Sequence, residues 1–145
     1  MAQIRPGDMG MRLSTRAGFA GSLCRGFTCQ VFRATATTNE LVSLEFRGPR
    51  NALFWLLAAP QANLCVGLPG LKNRLIVAPP ILVLGGGALS QQDTIRACPG
   101  GKRVLSFRIP VVGRGTRFAF QALIMANWRA GPLPTFSPAI VVTVG

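Results

Sequence analysis

The chain has 145 residues, of which 49% are hydrophobic, so it can bury one core and is not an intrinsically disordered chain. It carries 16 basic residues against 4 acidic ones, for a formal net charge of +12, and has no histidine. The lack of histidine excludes Ser-His-Asp and Cys-His catalytic groups within one chain. The charge favours a partner with phosphates or carboxylates, whereas the scattered positions of the arginines favour a solvated basic surface.

The N-terminal residues 1–22 are basic, contain several glycines and show only weak periodicity. They predict an arm, or a first edge strand around Met11–Phe19, ahead of a single domain over residues 23–145. This region has no continuous apolar segment, so no signal peptide is predicted. The most apolar region, Leu75–Leu89, is interrupted by prolines and glycines and is shorter than the roughly 20 residues of a membrane-spanning helix. No membrane span is therefore expected.

Along the rest of the chain, short segments of alternating apolar and polar residues are separated by glycine, proline and asparagine. This period of two predicts β-strands rather than helices. The connectors include Gly85–Gly87 and Gln91–Asp93, which we assign to loops. The pattern predicts an all-β protein, an antiparallel β-sandwich of immunoglobulin-like or jelly-roll-like type with eight to ten short strands. The strand signals lie at Phe27–Ala34, Glu40–Arg47, Ala52–Ala59, Arg74–Ala78, Ile81–Leu84, Arg103–Pro110, Thr116–Ala126 and Ser137–Val144, with weaker ones at Leu64–Val66 and Thr94–Cys98.

The last third of the chain also carries short motifs in a fixed order. An Ile-Pro strand end precedes a glycine-bounded turn, an aromatic-rich strand with Gln-Ala, a Pro/Gly loop, Ser-Pro and a terminal Val-Thr-Val-Gly. From Leu41 to Gly145, this order resembles a small β-sandwich domain common in secreted, multi-domain proteins of planctomycetes and similar bacteria. The resemblance implies a secreted β-sandwich, extracellular or at the cell surface, with no known catalytic residues. The matching residues are Ile109–Pro110, Gly115, Phe118–Phe120, Gln121–Ala122, Ser137–Pro138 and Val142–Gly145, with Ala52–Leu57 and Leu68–Pro69 upstream.

The four cysteines are Cys24, Cys29, Cys65 and Cys98. Their spacing lacks the Cys-x-x-Cys of common zinc modules, and an even count in a small all-β chain favours two disulfides in an oxidising compartment. Buried thiols and a metal site are the alternatives. Because Cys65 and Cys98 each lie next to a strand–loop boundary, we expect them to pair. We expect Cys24 and Cys29 to close a separate small loop.

The four acidic residues are Asp8, Glu40, Glu45 and Asp93. Glu40 and Glu45 are an odd number of residues apart, so on a regular strand they face opposite ways, which disfavours a glycosidase-type pair. Gly85–Gly87 is not followed by the Lys-Ser/Thr of a phosphate-binding loop, so a plain turn is the better interpretation. The sequence therefore predicts a protein that is not an enzyme, with no catalytic, cofactor or metal site.

Several apolar side chains have a strand phase that places them outside the predicted core. The segment Ala52–Ala59 is apolar on both faces, and Trp128 and Arg129 lie in a Gly/Pro loop that we expect to be exposed. Exposed contiguous apolar surface, tryptophan and arginine are typical of protein interfaces. The candidate interface residues are Phe54, Leu56, Leu123, Val141, Trp128 and Arg129, with Leu41 in the same phase.

These features predict a non-enzymatic structural, assembly or adhesion module, of an extracellular filament or surface-layer type. It would associate with itself through apolar sheet faces, and residues 1–22 would reach onto a neighbouring copy. Anionic polymers or nucleic acid are further candidate partners for the arginine-rich surface. The alternative is a capsid-like shell subunit whose basic arm contacts nucleic acid.

Overall fold

The computed structural model describes residues 10–22, 29–48, 50–71, 73–93, 100–125 and 134–145. Within these ranges the chain forms thirteen strands and no helix, and nine of the strands have five or more residues. The expected all-β sandwich is confirmed. The strands are β1 (Gly10–Thr15), β2 (Gly18–Ser22), β3 (Val31–Ala36), β4 (Leu41–Gly48), β5 (Leu53–Ala59), β6 (Val66–Gly67), β7 (Arg74–Leu75), β8 (Leu82–Ala88), β9 (Gln91–Asp93), β10 (Gly100–Arg108), β11 (Arg117–Met125), β12 (Thr135–Phe136) and β13 (Ala139–Val144).

Two larger sheets contain most of these strands. Sheet A has the order β2-β1-β4-β10-β9, and sheet B has the order β3-β13-β11-β5-β8, with β12 added beside β11. All pairings are antiparallel except that of β3 with β13, which is parallel. Strands β6 and β7 form a small two-stranded sheet. The edges of sheet B are therefore β3 on one side and β8 on the other.

The main core lies between the two sheets and follows from the alternation of side chains along the strands. In sheet A, Leu13 and Leu105 both pair with Leu44, which is completely buried. Across the sandwich, the rings of Phe46 and Phe54 stack with their centroids 4.4 Å apart. Each such side chain contributes about 1.5–3 kcal/mol of burial free energy, so the core supplies the main stabilisation of the fold.

A second, smaller apolar cluster lies on the outer face of sheet B. Val77, from the connection between β5 and β8, packs there against Ala119 and Val141 and is completely buried. The outer face of a sheet normally meets water, but here the chain covers part of it with its own residues 60–81. Val141 is only 7% exposed for this reason. Its predicted role at an interface with another copy is therefore wrong.

The predicted outward phase of Phe54 and Leu56 is also wrong. Their side chains are 1% and 3% exposed and belong to the core between the sheets, whereas Leu53 on the opposite face is 43% exposed. An apolar strand carries no polar residue to mark its outer face, so its phase cannot be read from the pattern. Leu41 does lie outside, at 56% exposure. Leu123 is half-buried on the outer face of sheet B.

Residues 10–22 form a hairpin that is part of sheet A. Strand β2 is the edge strand, and β1 lies between β2 and β4. Met11 and Leu13 of β1 are completely buried in the main core. From Gly10 onward, this segment is therefore built into its own sandwich and does not reach onto a neighbour as an arm.

The triple glycine Gly85–Gly87 belongs to strand β8, although the sequence predicted a loop there. Gly86 lies opposite Trp55, and a Cβ atom at Gly86 would come within 2.5 Å of the Phe54 carbonyl oxygen. Glycine is therefore required by close backbone approach rather than by a turn. Gln91–Asp93, also predicted as loop, is the short strand β9. The predicted strand at Thr94–Cys98 lies outside the described residues.

Candidate binding surfaces

A disulfide bond joins Cys29, just before β3, to Cys65, just before β6, with a Cα–Cα distance of 5.5 Å. The predicted pairs Cys65–Cys98 and Cys24–Cys29 are therefore wrong. The connection between β5 and β8 crosses the outer face of sheet B, and this path brings Cys65 to the edge strand β3. Closing a loop of 36 residues stabilises the fold by about 3–4 kcal/mol in the chain-entropy account. Cys24 and Cys98 lie outside the described residues.

Beside this disulfide, a concave pocket of about 530 Å³ opens between β3, the start of β11 and residues 60–63. Two arginines line it. Arg33 is in register with Val141 of β13 on one side, and Arg117 pairs with Thr143 on the other side of the same strand. Their backbones are thus two strand spacings, about 10 Å, apart across the sheet and two residues, about 7 Å, apart along it. Both long side chains can reach one ligand group between them.

Two further depressions continue this pocket along β3. One, of about 440 Å³, shares Arg33 with the first and is also lined by Phe19, Thr35 and Thr143. The next, of about 320 Å³, shares Thr35 with the second and is lined by Arg16. We call the three together the β3 groove. On this side its lining runs from Arg33 to Thr37, five residues or about 15 Å of extended chain.

The β3 groove is electropositive. Within the described part of the chain, the guanidinium groups of Arg33 and Arg117 take part in no hydrogen bond or ion pair. The acidic side chain among the described lining residues of the groove is that of Glu40. It is 4% exposed and accepts hydrogen bonds from the backbone N–H groups of Arg16 at 2.8 Å and Thr37 at 2.9 Å. These N–H groups hold the pKa of Glu40 below its ordinary value. The negative charge of Glu40 is thus directed at the backbone and not at the two arginines.

The loop that forms one wall of the first pocket is fixed by backbone hydrogen bonds. Ala78 N–H donates to the Gln61 carbonyl at 2.9 Å, and Leu64 N–H donates to the Ile76 carbonyl at 2.9 Å. The Asn63 side-chain amide donates to the Gln61 side-chain oxygen, also at 2.9 Å. Together with the disulfide, these bonds hold the wall in place before any ligand arrives.

Sheet B ends at its other edge on β8, which is apolar and uncharged. Leu82, Val83 and Leu84 are 64%, 61% and 53% exposed. The pairing with β5 shifts register between Leu56 and Leu57, so Leu84 is an extra, bulged residue. Beyond β5, no described strand pairs with β8, so one side of its backbone is open to a partner.

The other residues singled out by the sequence have structural roles or are not described. Glu45 forms ion pairs with Arg12 at 3.4 Å and with Arg47 at 2.8 Å. In the described ranges, no three His, Cys, Asp or Glu side chains lie close enough together to hold a metal ion. No helix of these ranges is long and apolar enough to cross a membrane. Trp128 and Arg129 lie outside the described residues.

The Arg33–Arg117 pair was missed because its members are far apart in the sequence. Only the parallel pairing of β3 with β13 and the antiparallel pairing of β13 with β11 bring the two side chains to one pocket. Arg117 has the outward phase in its strand, but this signal does not reveal the order of the strands. Arg33 has the same phase as the apolar Val31, so the alternation gives it no such signal.

No family model matches this chain, and no curated protein matches it. Among solved structures, the chain is similar to a chitin binding domain from Burkholderia pseudomallei, with a TM-score of 0.42 and 12% sequence identity. The match covers 78% of this chain and 57% of that one, so the chain spans less than two thirds of that domain's length.

Proposed function

We propose that this protein is a non-catalytic β-sandwich module of the extracellular space that works by association, and that copies pair through the open edge of β8. The observation that carries this proposal is the run of exposed apolar residues Leu82–Leu84 on an edge strand that lacks any charge. Edge strands of soluble proteins usually carry charged residues or prolines that prevent such pairing. Strand β8 has neither, which is the composition expected of an edge that a partner covers.

A second copy of the same chain fits this edge for electrostatic reasons. Each copy has a formal net charge of +12, so two copies repel each other wherever their basic surfaces meet. The segment from Leu75 to Gln92 contains no charged residue. Contact along Leu82–Leu84 therefore meets no charge of the strand itself, and Arg103, which donates to the Ala88 carbonyl at 3.5 Å, lies at the opposite end of β8.

Antiparallel pairing of β8 with its counterpart gives a closed, two-fold arrangement. Each copy offers the same surface to the other, as in the commonest class of homodimer. Sheet B of one copy would then join sheet B of the other copy in one continuous sheet. The main-chain hydrogen bonds between the copies would run from one β8 strand to the other. The same pairing places Leu82 and Val83 beside side chains of the other copy on the two faces of the sheet, and so covers part of their exposed surface.

The disulfide supports an extracellular location. Bonds of this kind form and persist in oxidising compartments and are rare in reducing ones. The described carboxylates support a non-catalytic role, because Glu40 is bound by backbone N–H groups and Glu45 by two arginines. Neither is placed to act as a general acid or base on a bound substrate.

Sedimentation velocity over a concentration series tests the pairing. The substitution V83K puts a charge in the middle of the edge, and V111K is the matched control, because Val111 is 84% exposed in a loop away from β8. We expect the wild type and V111K to form dimers as concentration rises, and V83K to stay monomeric with an unchanged thermal transition. If V83K dimerises like the wild type, or if the wild type remains monomeric, the proposal is wrong. Closed particles that contain nucleic acid would instead favour a shell subunit.

A further inference from the structure

We propose that the β3 groove is a binding site for an acidic polysaccharide, whose carboxylate or sulfate groups are held between Arg33 and Arg117. The site lies at the opposite edge of sheet B from β8, so it does not depend on pairing between copies. The groove would bind a polymer of opposite charge, in addition to the contact between copies at β8.

The chemistry of the lining points to an anion. Arg33 and Arg117 face one pocket, and each guanidinium offers several N–H donors in a fork that matches a carboxylate or sulfate. Neither takes part in a hydrogen bond or ion pair with another described residue. The described lining of this pocket has no acidic side chain, so the two cations repel each other, and a bound anion relieves this repulsion.

The polar groups around the arginines suit a ligand rich in hydroxyl groups. The walls of the groove carry the side-chain amides of Gln61 and Asn63 and the hydroxyl groups of Thr35 and Thr143. Amides and hydroxyls both donate and accept hydrogen bonds, as the hydroxyl groups of a sugar do. Guanidinium groups alone would recognise any anion, whereas this mixture favours an anion that also carries alcohols.

The shape of the groove indicates a polymer rather than a small ion. Three depressions share residues and run along the chain from Arg33 to Thr37 for about 15 Å. Phe19, which is 70% exposed, lines the middle one, and Arg12 lies 4.3 Å from its ring centroid. The face of this ring that Arg12 does not cover provides an apolar surface on which the C–H face of a pyranose can pack.

Two observations favour a polysaccharide over nucleic acid. The Cys29–Cys65 disulfide is typical of an extracellular compartment, where acidic polysaccharides are the abundant polyanions. Single-stranded nucleic acid is held by several aromatic rings on which successive bases stack, and the lining of the described groove includes one aromatic residue, Phe19.

Isothermal titration calorimetry on the full chain tests this site with four probes: polygalacturonate, heparin, single-stranded DNA and neutral dextran. The double variant R33Q/R117Q removes both groove charges. The control R50Q/R108Q removes two exposed arginines elsewhere and changes the net charge equally. We expect polygalacturonate or heparin to bind the wild type and the control. R33Q/R117Q should bind about tenfold or more weakly, because it loses two charge-assisted contacts. Dextran should not bind.

Equal weakening by both double variants would show that only overall charge attracts the polymer, and the proposal would be wrong. Tighter binding of DNA than of either polysaccharide, lost in R33Q/R117Q, would overturn the ligand class. Repeating the titration on V83K separates this site from pairing at β8, because the groove should bind equally well whether or not copies associate. Thermal melting of each variant confirms that the exposed substitutions leave the fold intact.

Discussion

Glu40 links two turns that lie at the same end of the sandwich. Its carboxylate accepts the N–H of Arg16 from the β1–β2 turn and the N–H of Thr37 from the β3–β4 turn. Both bonds favour the charged form, so the folded-state pKa lies below the ordinary value. The stability that Glu40 contributes is therefore present above the unfolded-state pKa, roughly 4.3, and is lost as the pH falls through the lower folded-state pKa.

The substitution E40Q should lower the free energy of unfolding at neutral pH by about 1.5–3 kcal/mol, because hydrogen bonds to a charged acceptor are replaced by bonds to a neutral one. Urea unfolding at a series of pH values measures this. The difference between wild type and E40Q should be constant near neutrality and shrink in acid. A difference that stays constant down to the lowest pH at which the protein folds would contradict this role of Glu40.

Gln121, the polar residue of the Gln-Ala pair in the aromatic-rich strand, has a structural role. Its side chain is completely buried, and its oxygen accepts the N–H of Ile76 at 2.9 Å. Its nitrogen donates to the carbonyls of Arg74 at 3.0 Å and Ser137 at 2.8 Å. One amide thus fastens β7 and the chain before β13 to the outer face of sheet B.

The substitution Q121M keeps the length of the side chain but leaves these backbone groups without partners. Each buried unsatisfied group costs about 1–3 kcal/mol, and the bonds to Ile76 and Ser137 are fully buried, so we expect a loss of at least about 2 kcal/mol. Q91M is the matched control, since Gln91 is exposed at the edge of sheet A. Chemical denaturation compares the two. A Q121M protein as stable as Q91M would rule out the fastening role.

The sequence pattern indicates the burial and position of some side chains but not of others. The alternation in β4 and β10 agrees with the burial of Leu44 and the packing of Leu105 against the core, because polar neighbours mark the other face. Phe54 in the apolar strand β5 has no such neighbours, and its phase was predicted wrongly. Arg33 and Arg117 could not be paired at all, since their proximity depends on the order of the strands and not on any local pattern.

At the scale of elements, the hairpin of residues 10–22 is a structural part of sheet A. Leu13 is completely buried there, whereas Leu41 at the start of β4 is 56% exposed. L13A should therefore destabilise the fold by about 2–5 kcal/mol, and the control L41A by no more than about 0.5 kcal/mol. Equilibrium unfolding measures both. Similar small losses in the two variants would mean that the hairpin is a dispensable arm.

The disulfide gives a covalent test of how the β5–β8 connection is placed. Trypsin separates all four cysteines, because Cys29 falls in peptide 26–33 and Cys65 in peptide 51–72. Mass spectrometry of a non-reduced digest should find these two peptides joined, and reduction should release them. A link from peptide 51–72 to peptide 97–102, which carries Cys98, would contradict the observed crossing of sheet B.

The glycine-rich part of β8 shows why some elements were not predictable. Consecutive glycines usually mark a turn, because their backbone is flexible. In β8 they are extended beside β5, where Trp55 lies opposite Gly86 and the backbone of Phe54 leaves no room for a Cβ atom. This contact with β5 overrides the preference of consecutive glycines for a turn. It cannot be predicted from the sequence until the partner strand of β8 is known.

The whole molecule is a sandwich whose sheet B has two unlike edges. The β3 edge is bordered by arginines and a covalently anchored loop, and the β8 edge is apolar and uncharged. The alternating pattern predicted the sandwich, but it could not predict which edges are open. Edge identity depends on strand order, and strand order depends on the long connections that the chain makes between the sheets.

Pairing of β8 between copies is tested most directly by amide hydrogen exchange of the full-length protein at low and high concentration. Open backbone groups exchange readily, and groups that enter a new strand ladder become protected. We expect peptides that cover Leu82–Ala88 to exchange more slowly at high concentration in the wild type and in V111K, but not in V83K. Peptides that cover β3 should exchange equally at both concentrations. Exchange in β8 that is equally fast at both concentrations in the wild type, or protection that appears elsewhere, would contradict association through this edge.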